Sequence, residues 1–383
     1  MTDNYDFPTA FAFWGKEEDA AIKRVLASGR LTSGPEVAAF EHELAAYHGR
    51  RYAIMVNSGS SANLVATAAL FHLSDKPLKR GDRALVPAIA WSTTYSPLVQ
   101  HGLDLILVDV DDGWNADPDS LQGAIDMGSN VIRLVVGCSI LGNPAHLDRW
   151  GTAAGVLDAH FLNDDCESFG SLDGSGLTTA AHGLMATNSF FFSHQISAIE
   201  GGAILTDDDQ CAELCRMLRA HGWTRDVEMF RPEFEAEYDF RLMGYNVRAD
   251  EIRAAVAREQ LKKLPGFIKA RRENDAMFRR LCASLPVTFP PWNGYPSPFS
   301  LHFTINAGQE VRRRLAVALR AAKIDCRLPT GGSFRKHAYG APWAAQATSR
   351  ADRIHDTGMF LGNAPWPIPD LIERAVAVMR KTL

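Results

Sequence analysis

The sequence predicts an α/β fold: a mostly parallel sheet with helices on both faces, followed by a smaller α+β unit. Two observations lead there. Over the first two hundred residues, short β-rich runs alternate with helical patterns, the rhythm that lays strands side by side in one parallel sheet. Beyond about residue 207 that rhythm stops, and long helical patterns take over around a proline-rich stretch.

Element by element, AIMV (53–56) reads as a strand and is followed by a helical pattern from Ser60. ALVPA (84–88) is a strand before the helical TTYSPLVQHG, and LDLILVDVD (103–111) is the next strand. VIRLVVG (131–137) precedes a helix around Ala145–Ala154. GVLDAH (155–160), NSFFF (188–192) and GAILTD (202–207) complete the strands. Then DDDQCAELCRMLRAHG reads as a helix, and ADEIRAAVAREQLKKLPG as another that Pro265-Gly266 should end, since proline lacks the amide hydrogen a helix needs. A third helix is expected over 267–284, irregular chain in PVTFPPWNGYPSP (286–298), a strand in FSLHFTI (299–305), and helices near 309–323 and 370–382. A chain of 383 residues exceeds one small domain. The expected division is a large domain over 1–265 and a small C-terminal domain over 266–383.

Hydrophobic residues make up 46% and charged residues 22%, the balance of a water-soluble globular protein. The net charge of -5 argues against nucleic acid as a partner, which calls for a basic excess. It leaves room for a small anionic substrate met by a few arginines. The N-terminus shows no basic stretch before an apolar run, and no apolar run approaches the ~20 residues of a membrane span. A cytoplasmic protein that does not contact a membrane is expected. The six cysteines, at 138, 166, 211, 215, 282 and 326, include no C-x-x-C or C-x-C pair. Neither a metal site nor a disulfide framework is expected, and the thiols read as small buried apolar groups.

Four stretches hold candidate chemistry. In VNSGSSANLVA (56–66) a strand runs through Ser58, Gly59, Ser60 and Ser61 into a helix. Exposed amides at a helix start suit a phosphate, although an ordinary capped turn has the same composition. FLNDDCESFGS (161–171) places Asp164, Asp165 and Glu167 just after a strand. A carboxylate there can keep a pyridinium nitrogen protonated; a solvated acidic loop reads the same way. Trp91, at the end of the strand in PAIAWSTTYS, has an indole that can stack on a flat cofactor or fill a core. His194, in SFFFSHQISAIEGG (189–202), follows three phenylalanines as a core histidine would, yet sits among Ser189, Ser193 and Ser197.

Taken in order, GRLTSGPEVAAFEHELAAYHGRRYAIMVNSGSSANL (29–64), DDCESFGS, SFFFSHQISAIEGGAILT and GYNVRADEIRAAVAREQLKKLP (244–265) resemble the sugar-nucleotide branch of the fold-type I pyridoxal-phosphate enzymes, the DegT/DnrJ/EryC1/StrS aminotransferases. The resemblance spans nearly the whole chain. It implies a large domain with a mixed, mostly parallel sheet, a small C-terminal α+β domain, and pyridoxal or pyridoxamine 5'-phosphate as cofactor. In that family the segment before Glu-Gly-Gly carries the lysine that binds the cofactor covalently. Here its position is His194. This replacement resembles the subgroup of 3-dehydratases of nucleotide-linked 4-keto-6-deoxy sugars, deoxysugar enzymes of lipopolysaccharide O-antigen and colitose synthesis. AWSTTYSPLVQHGL and CRLPTGGSF (326–334) point to its GDP-linked members. The cysteine set of the CDP-linked, iron–sulfur members is missing.

The resemblance implies roles position by position. Gly59, Ser60 and Ser189 would hold the phosphate, Trp91 would stack on the ring, and Asp164 would pair with the ring nitrogen. Glu167 would lie near the phenolic oxygen or the amine. Asn246 would reach the phosphate in a neighbouring subunit, which makes the expected assembly a homodimer with shared sites. His194 would be the base, with His221 assisting at the substrate. Arg248 and Arg327 would meet the nucleotide diphosphate, although Leu328 replaces a proline of the subgroup. The implied reaction is removal of the C3 hydroxyl from GDP-4-keto-6-deoxy-D-mannose, with L-glutamate restoring the amine form of the cofactor. Two other functions stay open at this stage: a sugar-nucleotide aminotransferase that retains the amino group, and a non-catalytic relative that only binds cofactor or sugar nucleotide. The loops 226–240 and 286–298 are expected to shape specificity.

Overall fold

A computed structural model describes residues 5–11, 13–128, 132–227 and 238–383. Most of the 226–240 loop lies outside the described residues.

Seven strands form the main sheet: β1 (Tyr52–Val56), β2 (Arg83–Pro87), β3 (Asp104–Val108), β4 (Ile132–Cys138), β5 (His160–Asp164), β6 (Met185–Ser189) and β7 (Gly202–Thr206). Their order across the sheet is β1-β7-β6-β5-β4-β2-β3. All neighbours run parallel except β7, which is antiparallel to both β1 and β6. The fold class is therefore the expected α/β, with a mostly parallel mixed sheet. Runs such as Ile54–Val56 and Ala84–Val86 are fully buried, as strands covered on both faces must be.

The covering helices are α1 (Lys16–Ser28), α2 (Pro35–His48), α3 (Gly59–Leu70), α4 (Ser92–Gln100), α5 (Pro118–Gly128), α6 (Leu147–Leu157), α7 (Asp209–Arg219) and α8 (Glu251–Leu281). One core, with Val65, Leu70, Leu98 and Leu218, packs α3, α4 and α7 on the sheet. On the opposite face Phe40 and Leu44 of α2 meet Phe190 and Leu264. The buried Glu251 carboxylate accepts from the amides of Glu36 and Val37, supplying the first turn of α2 with the acceptors it lacks.

Three expectations change. GVL of GVLDAH is the last turn of α6, not a strand. Trp150, Ala153, Ala154 and Leu157 extend one buried helix face while Val156 is 74% exposed, and Asp158 ends the helix at φ 52°. The strand starts at His160, so Asp164 is its last residue. NSFFF likewise overlaps β6 only at Asn188 and Ser189. The strand is MATNS, whose buried polar side chains are bonded: Thr187 Oγ1 donates to Asn63 Oδ1 (2.6 Å) and Asn188 Nδ2 to Asp165 Oδ2 (2.9 Å). Finally, Pro265 does not end a helix. α8 runs through it for 31 residues, because Leu264, Phe267, Ala270 and Arg271 stay buried on both sides of the break in its hydrogen bonding. Residue 265, the expected domain division, lies inside α8.

The smaller sheet comprises β8 (Val287–Thr288), β9 (Ser300–Ile305) and β10 (Gly358–Gly362), in the antiparallel order β10-β9-β8. With α9 (Gly308–Ala321), α10 (Ser349–Thr357) and α11 (Pro369–Thr382) it forms the second layer. Its core of Leu301, Phe303, Leu319 and Ile372 also takes in Phe7, which bridges Ile324. No helix among the described residues is long and apolar enough to cross a membrane. Five cysteines are buried and Cys166 is half-buried; all six are free thiols.

Candidate active site

The candidate residues gather where the parallel strands end, the usual ligand crevice of such sheets. At the turn from β1 into α3, Ser58 caps the helix: its Oγ accepts from the Ser61 amide (3.1 Å) and donates to Ser61 Oγ (3.0 Å). Capping occupies both of those hydroxyls. The amides of Gly59 and Ser60 belong to the first turn, which has no acceptors of its own. Ser60 Oγ lies 2.8 Å from Thr93 Oγ1. A Cβ on Gly59 would stand 2.6 Å from Ser189 Cβ. One on Gly202 would be 2.4 Å from the Ser58 backbone, so the Glu-Gly-Gly glycine lets β7 pass directly beneath the turn.

Asp164 is buried at the end of β5. Its Oδ2 accepts from Asn63 Nδ2 (2.8 Å) and Thr94 Oγ1 (2.6 Å), and its Oδ1 from the Cys166 amide (3.1 Å). The neighbouring Asp165 turns into a separate buried network with Ser168 and Asn188. Trp91 caps α4 one turn before Thr94 and is 55% exposed, so it is not core.

Glu167 Oε2 accepts from the Leu141 amide and from Thr330 Oγ1, both at 2.9 Å. Both donor residues hold a left-handed backbone, φ 53° at Leu141 and 45° at Thr330, a conformation that costs energy without a glycine. Desolvation pushes the Glu167 carboxyl up to about 7.

His194 is half-buried, its ring 5.3 Å from that of Phe299 and 5.9 Å from that of Phe191. Nδ1 is buried without a hydrogen-bond partner. Desolvation pulls the imidazole down to about 4, against the backbone of Ser189 and of Cys166 and the Asp164 charge, which favour a proton on the ring. That shift favours the unprotonated imidazole at neutral pH. Next to it, Gln195 Nε2 donates to Glu167 O (2.6 Å) and to Ser297 O (3.1 Å).

The remaining expected residues lie apart. His221, at φ 67°, is exposed after α7, and its amide donates to Tyr245 O (2.6 Å). Asn246 and Arg248 are exposed on the same strip, which joins the site through backbone: Asn57 N donates to Val247 O (3.0 Å), and Arg248 bridges Val56. Arg327 is exposed and 3.5 Å from Asp325. Sequence reasoning missed Asn63, Thr94, Gln195, Arg271 and Thr330.

The arrangement can hold a planar, phosphorylated aromatic group. The start of α3 would take the phosphate, the fixed carboxylate of Asp164 a ring cation, and the exposed indole of Trp91 one ring face. No lysine stands at residue 194 to bond such a group covalently.

A relative from Yersinia pseudotuberculosis, a GDP-4-keto-6-deoxy-D-mannose 3-dehydratase, is 37% identical over 392 residues, covering 98% of each chain. A solved structure of the E. coli enzyme of that name with bound hydrated PLP superposes with a TM-score of 0.92 at 35% identity, over 98% of this chain and 99% of its own. Another structure, of a GDP-4-keto-6-deoxymannose 3-dehydratase with a trapped PLP–glutamate geminal diamine, covers 98% of this chain and all of its own, with a TM-score of 0.90 at 34% identity. The family model for the DegT/DnrJ/EryC1/StrS aminotransferases matches residues 13–374, and with so much of the chain accounted for, the protein belongs to that family.

Proposed function

We propose that this protein is a pyridoxamine-phosphate-dependent 3-dehydratase of a GDP-linked 4-keto-6-deoxy sugar, GDP-4-keto-6-deoxy-D-mannose, with glutamate as amino donor. One observation carries the reading: an imidazole, not a lysine amine, occupies residue 194, within the field of the Asp164 carboxylate. The relatives of that name and the PLP–glutamate adduct in one of them support the choice of substrate and donor.

When bound, the cofactor supplies an amine for the C4 carbonyl of the sugar and a ring that accepts an electron pair. The protein does the rest. The first turn of α3 and Ser189 bind the phosphate, Trp91 covers the ring, and Asp164 keeps the ring nitrogen protonated. His194 Nε2 takes the proton that must leave and hands it to the departing C3 hydroxyl. Such transfers are worth ~10²–10⁴ in rate. Glu167, tied through its backbone carbonyl to Gln195, is assigned to the phenolic oxygen or the amine of the cofactor. In sum, the sugar nucleotide and glutamate become the 3-deoxy sugar nucleotide, 2-oxoglutarate and ammonia, a balanced conversion.

We assign Arg248 and Arg327 to the diphosphate, His221 to the substrate, and Asn246 to the cofactor phosphate of a second copy. Exposed apolar residues beside Asn246, notably Met243 at 96% exposure with Phe240 and Tyr238, support a homodimer through this strip. The large and small units divide near residue 265, and the enzyme works in the cytoplasm.

The test is to incubate the protein with pyridoxamine phosphate, glutamate and the GDP-linked 4-keto sugar. Ammonia and a dideoxy sugar nucleotide are expected in equal amounts. An amino sugar formed without ammonia would make the protein an aminotransferase instead.

A further inference from the structure

Arg271 lies in α8. It is 1% exposed. Its guanidinium donates to three backbone carbonyls: from Nη1 to Gln195 O (2.9 Å), from Nη2 to His194 O (3.1 Å) and from Nε to Asn363 O (3.2 Å). Asn363, just past β10, returns two bonds, from Nδ2 to Arg271 O (2.9 Å) and to Pro298 O (3.0 Å). Among the described residues no carboxylate pairs with this cation. Burial alone pulls the guanidinium down to about 9, a sign of how costly the position is.

A buried charge without a counter-ion is expensive, and an apolar side chain of similar length would fill the space more cheaply. Two of its three bonds go to the carbonyls of the candidate base and of the residue after it. The His194 amide is itself bonded only within the local turn, to Phe191 O (2.9 Å). Nothing covalent ties residue 194 to a ligand, so the direction of its imidazole depends on this piece of backbone. A reacting group displaced by ~1 Å can lose on the order of 10² in rate.

We propose that Arg271 is a positioning residue: it anchors the His194–Gln195 backbone to α8 and the end of β10, holding the imidazole at the reacting atoms where a covalent tether is missing. The proposal rests on the dehydratase reading for its chemistry. It has a second consequence. The charged groups acting on the ring are Asp164 at the end of β5, which favours the protonated form, and Arg271 on α8, which disfavours it. Arg271 thereby helps to keep His194 unprotonated.

Two variants separate position from charge. Arg271→Lys keeps a cation but cannot reach three carbonyls at once; Arg271→Met removes the charge and keeps the length. Both are expected to bind pyridoxamine phosphate within threefold of the parent and to lose ~10–100-fold in kcat, with KM nearly unchanged. The His194 titration is read by NMR in the parent and both variants, with the resonance assigned by its loss in His194→Asn. In Arg271→Met the pKa of His194 should rise by ~1 unit; in Arg271→Lys it should move by less. Parental kcat in Arg271→Lys, or an unmoved His194 pKa in Arg271→Met, would overturn the proposal. If Arg271→Met fails to unfold cooperatively, Arg271→Lys carries the test through its kcat. The NMR titration needs no turnover, so a parent inactive on the sugar would sink the dehydratase reading without deciding this one.

Discussion

Gly59 and Ser189 face each other across the site so closely that a Cβ on the glycine would sit 2.6 Å from that of the serine, and 2.9 Å from Sγ of Cys166. Neither neighbour is the free end of a flexible chain, so the turn or the end of β6 would have to shift. Gly59→Ala should cost ~1–3 kcal/mol of stability by overpacking. It should also weaken pyridoxamine phosphate at least tenfold, because the same shift moves the first-turn amides. Thermal unfolding with and without cofactor measures both. A variant stabilised by the cofactor as strongly as the parent would show that this turn is not the phosphate cradle.

Asp164 is surrounded by donors, from Asn63, Thr94 and the Cys166 amide. An asparagine there would turn an NH₂ toward at least one of them and remove the charge meant for the ring nitrogen. Asp164→Asn should lose ~10² or more in kcat and ~1–3 kcal/mol in stability. If kcat stays within a few-fold of the parent, no ring cation is held at this carboxylate.

Glu167 predicts a pH effect in the cofactor-free protein. Its carboxyl is raised from the ordinary 4.5 to about 7, so between those values the folded state holds the proton more tightly than the unfolded chain. The stabilisation is complete below pH 4.5 and is lost as pH climbs through 7. His194, lowered from 6.5 to about 4, acts in the opposite sense: its contribution is lost as pH falls from 6.5 toward 4. Glu167→Gln keeps an oxygen for the Leu141 amide and the Thr330 hydroxyl and removes the charge. It should stabilise the protein at pH 8 by on the order of 1–3 kcal/mol relative to its effect at pH 5. Equal shifts of the unfolding midpoint at both pH values would contradict this.

What could be read from sequence, and what could not, follows from how local each signal is. Ile54–Val56 and Ala84–Val86 read as strands because both faces are apolar and buried. β6 did not, because Thr187 and Asn188 are polar and their partners, Asn63 and Asp165, are supplied by tertiary structure. Val156 looked like a strand residue and is a solvent-facing helix residue. Pro265 carried a true local preference that packing along α8 overrides. At the site, Asp164 and His194 stood out because each is flanked by its own motif. Arg271 and Thr330 gave no such signal. They lie 77 and 163 residues from His194 and Glu167 in sequence, and only the fold brings each pair together.

His194→Lys is the sharpest prediction. The ring at residue 194 lies among Phe191, Phe299 and the charge of Asp164, and its backbone is held by Arg271. A lysine in that seat would be partly desolvated, which lowers an amine's pKa and frees its lone pair. It should attack the aldehyde form of the cofactor and bond it to the protein. Borohydride would then fix the link, visible as a mass increment on the peptide containing residue 194. With the cofactor tied down and the imidazole gone, deoxygenation should fall by at least ~10²-fold. Retained deoxygenation would mean that another group is the base, and an unlabelled peptide would mean that residue 194 does not face the cofactor.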